Sequence, residues 1–305
     1  MFKDVSEIGS DVPHPERHGA ARDPSAPPPG AAADWTVPQD WQDFCPDEHA
    51  VWDLLFARQQ QALAGRAVSA FAQGLDVLRL SRPGIPEFGE LNARLSERTG
   101  WQVVAVPGLV PDDVFFEHLR HRRFPAGNFI RRRDQLDYLE EPDVFHDVFG
   151  HVPLLALPEM ADFMQKLGEL GLAAFEASAL HRLTRLYWYT VEFGLAREAG
   201  ALSIYGAGIV SSFGESRFAL ESPEPHRIGF DLKRVLQTDY RSDSFQQTYF
   251  VVDRFEDVLA LVAETDFPAL YAELADQPDI DCRTVRPGDR LIQCEGGEHQ
   301  LVIPD

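Results

Sequence analysis

The chain has 305 residues, is 44% hydrophobic and 11% aromatic, and sets 28 basic against 49 acidic residues for a formal charge of −21. So acidic a balance argues against a nucleic-acid partner, whose phosphates call for basic surface, while the length and apolar content suffice for one large core or two small ones. There is no apolar run of the roughly 18 residues that span a membrane, no signal-peptide core in MFKDVSEIGS, and no CxxC spacing among Cys45, Cys282 and Cys294, so a cytoplasmic protein without disulfide framework or thiolate zinc cage is expected.

Residues 1–33 hold six prolines, the run Pro27-Pro28-Pro29-Gly30 and three successive alanines, with few large apolar side chains. Such a stretch buries too little to offset its ordering entropy. A disordered tail is therefore expected, followed by a single folded domain over 34–305. From Pro46 or Asp47 a helix is predicted, with Val51, Leu54, Leu55 and Ala62 at helical spacing. A second spans about Pro86 to Arg98 (Phe88, Leu91, Leu95) and stops at Gly100. WQVVAV (101–106) reads as a short strand, and Pro111 opens another helix. PEMADFMQKLGELGLAAF (158–175) and ALHRLTRLYWYTVEFGL (179–195) read as two long helices. ALSIYG (201–206) and TYFVV (248–252) read as strands, FEDVLALVAET (255–265) as a helix, and DRLIQCEGGEHQLVIPD (289–305) as a hairpin. The fold class expected is mainly α (α+β), a single compact helical domain with a few short strands.

EPDVFHDVFGH (141–151) places two of ten histidines five residues apart. On an ideal α-helix five residues leave the two side chains about 140° apart, unlike the one-faced pair of HExxH. Gly150 and Pro153 suggest a short or irregular helix, on which His146 and His151 converge if the backbone bends. Otherwise they are surface histidines. RLYWYTVEFGL (185–195) embeds Glu192 among aromatic and apolar residues. A carboxylate there sits at an exposed edge, pairs with a cation, or binds a metal, because burying it unpaired is costly. Two histidines and one carboxylate match the facial triad of non-haem iron(II) enzymes.

EPDVFHDVFGHVPLL, then LYWYTVEFGL, then YGAGIVSSFGE together resemble the catalytic domain of the pterin-dependent aromatic amino acid hydroxylases, and especially its bacterial phenylalanine-hydroxylating members. The resemblance runs over about residues 35–265 and includes VPQDWQDFCPDEHAVWDLLFARQ (37–59). It implies that His146, His151 and Glu192 hold iron(II) as the catalytic centre. It implies that Arg131, in FIRRRD, clamps the substrate carboxylate with support from Asp143, a task suited to a guanidinium fork. By the same resemblance Trp188, Phe193, Gly208 and Ser211 surround the substrate side chain. The main-chain groups of Gly108, Leu109 and Val110 would bond a tetrahydropterin, with Phe115 stacked on its ring and Asp147 beside it. Taken alone, Phe115 is also ordinary core, and Arg132 and Arg133 read as a solvated face. Asp147 stands where many animal relatives have glutamate, and Leu139 where they often have threonine.

The implied activity is a monooxygenase: iron and tetrahydropterin activate dioxygen, one atom going to the pterin and one to the ring of phenylalanine, or of tryptophan or tyrosine. A zinc hydrolase on the same ligands lacks HExxH and a candidate base. A non-catalytic amino acid binding protein has no use for Glu192 in an aromatic helix. With no room before Trp35 for a regulatory domain and no heptad-bearing helix after residue 280, a monomer whose partner is a small aromatic amino acid is expected, with no nucleic acid or membrane partner.

Overall fold

Helix α1 (Pro46–Ala62) starts where Glu48 turns back to accept the N–H of Cys45 at 2.7 Å, so the first turn is closed by its own side chain. This computed structural model describes residues 26–137 and 141–293. The rest of the expected tail (1–25), Leu139, Cys294 and the far half of the expected hairpin lie outside the described residues. Within α1 the inward stripe is Val51, Trp52, Leu55, Phe56, Gln59 and Ala62, whereas Leu54 is one of the exposed large apolar residues. The predicted stripe was therefore right in period but one residue off at Leu54.

α2 (Ser69–Val77) and α3 (Phe88–Thr99) follow, α3 ending at Gly100 as its sequence implies. Strand β1 (Gln102–Val106) leads to α4 (Asp112–Arg120), which returns the chain to β2 (Arg123–Gly127), and β1 and β2 pair in parallel from Gln102↔Arg123 to Val106↔Gly127. Such a parallel pair needs the helical crossover that α4 provides. Residues 28–36 fold back on themselves: Ala32 donates to the Thr36 carbonyl at 2.8 Å. Asp34 then ties this stretch down, accepting Arg123 Nη1 at 2.9 Å, while its carbonyl faces His118 Nε2 at 2.8 Å.

The His motif forms a π-helical segment, Phe145–His151, that runs into α5 (Val152–Leu155). α6 (Pro158–Glu176) packs its small residues Gly168 and Gly171 against α4. The segment expected as one long helix over 179–195 instead comprises α7 (Leu180–Tyr187), a second π-helical turn Trp188–Glu192, and a break at Phe193 before β3 (Leu195–Glu198). After β4 (Ala201–Ile204) come α8 (Ala207–Val210), α9 (Glu215–Glu221), β5 (His226–Gly229), α10 (Leu232–Gln237), β6 (Thr248–Val252), α11 (Phe255–Glu264) and α12 (Phe267–Leu274). The strands order as β4-β3-β6-β5, with β3–β4 antiparallel and the other two pairs parallel. Ile228 bridges Leu291, so the start of the expected hairpin packs on β5. The core is aromatic: Phe145 and Phe149 stack at 4.8 Å, with Trp52 edge-on to Phe145 and Phe56 and Phe71 edge-on to Phe149. The expected mainly helical domain with minor strands is what forms, and its core grips the π segment from both sides.

Candidate metal centre

The spacing of the two histidines is resolved by backbone register. In a π-helix each N–H reaches back five residues instead of four, which widens the turn and brings positions i and i+5 onto one face. His146 and His151 occupy those positions, and their Nε2 atoms lie 3.3 Å apart. The second π-helical turn, closed by the Phe193 N–H bonding the Trp188 carbonyl at 2.8 Å, ends on Glu192. Its carboxylate lies 3.2 Å from His151 Nε2 and 3.6 Å from His146 Nε2. All three side chains are buried, and their donor atoms fall within 4.8 Å of one another.

Protonation follows from burial and neighbours. Burial pushes the His146 ring down to about 4, against the pull of Glu192, so its imidazole is neutral at pH 7. Burial alone would raise the Glu192 carboxyl, but His151 and His146 outweigh it and hold the group down at about 2. The tautomer of His146 is fixed from behind. Ser211 Oγ gives its one proton to the Ala207 carbonyl at 2.8 Å and so accepts from His146 Nδ1–H at 2.8 Å, which leaves the Nε2 lone pair facing inward. His151 Nδ1 is buried without a hydrogen-bond partner among the described residues. The set fits a divalent metal: an ionised carboxylate and a neutral imidazole are ligand states. Bonds of about 2.0–2.2 Å meeting near right angles put donors about 3 Å apart, close to the separations observed.

One face of this trio opens into a pocket. Its wall includes all three candidate ligands and all five residues expected beside a pterin: Gly108, Leu109, Val110, Phe115 and Asp147. Phe115 is half-buried and meets Tyr187 edge-on at 5.6 Å. Asp147 accepts the Gly127 N–H at 2.7 Å, and burial holds its carboxyl well above the usual range. The Leu109 N–H is already engaged by Glu141 at 3.1 Å.

The residues expected around the substrate lie elsewhere, since none of them is on that wall. Arg131 grips Asp143 with Nε and Nη2, each at 2.9 Å, and Asp143 also accepts the His146 N–H at 3.0 Å. Burial would raise the Asp143 carboxyl, but Arg131 and the N–H groups around it hold it below the usual range. The Nε edge of Arg131 is thereby occupied, and Nη1 donates to the Leu136 carbonyl at 3.5 Å. Phe193 stacks on Trp188 at 4.6 Å. A Cβ at Gly208 would come 2.8 Å from the Phe193 ring, so glycine is what admits that ring beside Glu192. Ser211 is placed behind His146.

Sequence reasoning missed Tyr187, Phe124, Gly127 and Asp112 in the pocket wall, and Tyr240, which stacks on Trp188 at 4.2 Å. RFPAG gave no strand signal because Pro125 interrupts it, so β2 and the wall it forms went unseen.

Over residues 36–266 the chain matches a family model described as biopterin-dependent aromatic amino acid hydroxylase. The chain belongs to this family. It is 56% identical over 268 residues to a phenylalanine-4-hydroxylase of Caulobacter vibrioides, covering 88% of this chain and 91% of that one. To the enzyme of the same name from Ralstonia nicotianae it is 54% identical, covering 85% and 82%. Among solved structures, it superposes on Chromobacterium violaceum phenylalanine hydroxylase with iron and phenylalanine bound at a TM-score of 0.82 and 46% identity, covering 86% of this chain and 95% of that one. The cobalt-bound form of the same enzyme gives 0.84 and 49%, covering 86% and 94%. Among the described residues no helix is long and apolar enough to cross a membrane.

Proposed function

We propose that the chain is a phenylalanine 4-monooxygenase that uses iron(II), a tetrahydropterin and dioxygen. The observation that carries this is the buried convergence of His146, His151 and Glu192 on the wall of a pocket that Gly108, Leu109, Val110, Phe115 and Asp147 also line. When bound, iron and pterin supply the activation of oxygen. The protein's residues bind, orient and exclude water.

In this reading His146 and His151 present Nε2 and Glu192 its carboxylate to the iron, with Ser211 holding His146 in the ligating tautomer. Gly108, Leu109, Val110 and Phe115 hold the pterin on one side, with Asp147 facing its polar edge. On the other side Arg131, aimed by Asp143, takes the α-carboxylate of the amino acid through its outer edge. Trp188 and Phe193 receive the aromatic ring, and Gly208 gives the Phe193 ring its room beside Glu192. The chain acts as a cytoplasmic monomer, with no nucleic-acid partner, and residues 34–305 form the catalytic domain.

The test is turnover of the iron-loaded protein with tetrahydropterin on phenylalanine, tyrosine and tryptophan separately, with metal analysis and sedimentation alongside. Phenylalanine should be converted to tyrosine fastest, with one iron per chain. Glu192→Ala should lose both iron and turnover. Wild-type activity in that variant would sink the ligand assignment, and preference for another amino acid would overturn the substrate.

A further inference from the structure

A buried indole N–H needs an acceptor. Trp188 is 2% exposed, and its Nε1 donates to Gln246 Oε1 at 2.8 Å. Gln246 is itself buried, in the loop between α10 and β6. Its Nε2 donates to the carbonyls of Arg241 at 2.9 Å and Ser244 at 3.4 Å. These partners settle the amide orientation, because a flipped amide would set donor against donor at Trp188. The backbone N–H of Gln246 in turn donates to Glu215 Oε1 at 3.0 Å, and the Tyr249 hydroxyl donates to the same oxygen at 2.8 Å. Glu215, on α9, is buried as well. The links from Trp188 to Gln246 and from Gln246 and Tyr249 to Glu215 are thus withdrawn from water, where hydrogen bonds are directional and costly to leave unmade.

The anchored indole is the middle of an aromatic row. Tyr240 stacks on one side of Trp188 at 4.2 Å with an 18° tilt, and Phe193 lies on the other at 4.6 Å with a 39° tilt. Phe193 directly follows Glu192 in sequence, so the row starts at the metal centre. Stacking sets the distance between ring planes but lets rings slide within them. A single hydrogen bond at Nε1 removes that freedom.

We propose that Gln246, anchored by Glu215, is a positioning residue for the hydroxylation. It fixes the indole of Trp188, and with it the row Phe193–Trp188–Tyr240, so that the substrate ring is held at one place relative to the metal. This rests on the reading of Trp188 and Phe193 as walls of the substrate site. Gln246→Met keeps the length of the side chain and removes the acceptor. Gln246→Glu keeps an acceptor facing the indole.

In the Met variant the half-saturation constant for phenylalanine should rise on the order of tenfold, because a buried N–H is left unpaired. Product formed per tetrahydropterin consumed should fall, since a mobile ring misses the oxidant. Iron content should stay at the wild-type level. In the Glu variant the product ratio should return most of the way. Gln246→Asn, one methylene shorter with both amide groups intact, should act in the same direction as Met, and it replaces Met should that variant not fold. A readout independent of turnover is the ¹⁹F spectrum of the 5-fluorotryptophan protein, with the Trp188 resonance assigned by its loss in Trp188→Phe. That resonance should broaden or shift in the Met variant and return in the Glu variant. Wild-type half-saturation, product ratio and Trp188 resonance in both Met and Asn variants would overturn the proposal while leaving the substrate reading intact. If Trp188→Phe itself leaves phenylalanine binding and product ratio unchanged, the substrate walls are misassigned and the role of Gln246 in hydroxylation falls with them.

Discussion

Replacing Ser211 by alanine isolates one atom's effect on the metal. The hydroxyl accepts His146 Nδ1–H and donates to the Ala207 carbonyl. That carbonyl also takes the backbone N–H of residue 211 at 3.0 Å, a bond alanine keeps, so the local turn is undisturbed. The loss falls on His146, whose ring N–H is left unpaired in a site only 7% exposed. An unmade buried hydrogen bond costs about 1–3 kcal/mol. The ring is also free to move its proton to Nε2, which removes it as a ligand. Loss of such an outer partner typically weakens metal binding by about 10- to 100-fold, consistent with that energy at about 1.4 kcal/mol per tenfold. Anaerobic titration of the apo protein with iron(II) against a competing chelator measures it. Iron affinity of Ser211→Ala within twofold of wild type would refute the reasoning, since it would mean the ring is aligned without the hydroxyl.

Arg131→Lys keeps the charge but meets only one of the two Asp143 oxygens and offers no second edge, so the phenylalanine half-saturation constant should rise about 10- to 100-fold with iron content unchanged. Arg133→Lys, on an exposed side chain paired with Asp47, should change it less than twofold; equal effects at both positions would place the carboxylate elsewhere. Gly171→Ala would put a Cβ 2.2 Å from the Phe116 ring, and overpacking of this kind should lower unfolding free energy by about 1–3 kcal/mol in urea. Burial raises the Glu215 carboxyl from 4.5 to about 7. A raised carboxyl stabilises the fold below its unfolded value and loses that contribution as pH climbs through the folded one. Glu215→Gln should therefore gain stability relative to wild type between pH 4.5 and 7, by on the order of 3 kcal/mol in full, and a difference flat with pH would contradict it. Removing residues 1–33 should leave melting temperature and turnover nearly unchanged, whereas removing Asp34 as well should cost stability through Arg123 and His118.

The parts legible in the sequence were those that depend on side-chain period. α1, α3, β1, α6 and β6 follow apolar spacing and proline or glycine punctuation, and the structure places them where that spacing does. Helical periodicity cannot distinguish an α-turn from a π-turn, because both bury aromatic residues on one side. So 179–195 read as a single helix, and the break at Phe193 left no mark in hydropathy. The candidate ligands were legible as residue types, but their convergence was not: on α geometry His146 and His151 diverge. Tyr240 and Gln246 reach the site only through a loop that follows α10 by several residues, a long-range placement no local pattern encodes. Nor does any local pattern pair Ser211 with His146, whose ring it meets from the end of α8.

The two wide turns also say what a copy of this centre would require. A designer grafting His, His and Glu onto ordinary helices at the same sequence separations would obtain three well-formed side chains pointing apart. Each ligand segment here accommodates one residue more than an α-turn holds, and that surplus is what rotates the ligands into register. The blueprint for the metal centre is therefore written in residue count along the backbone, and a transplant has to carry the extra residue with it.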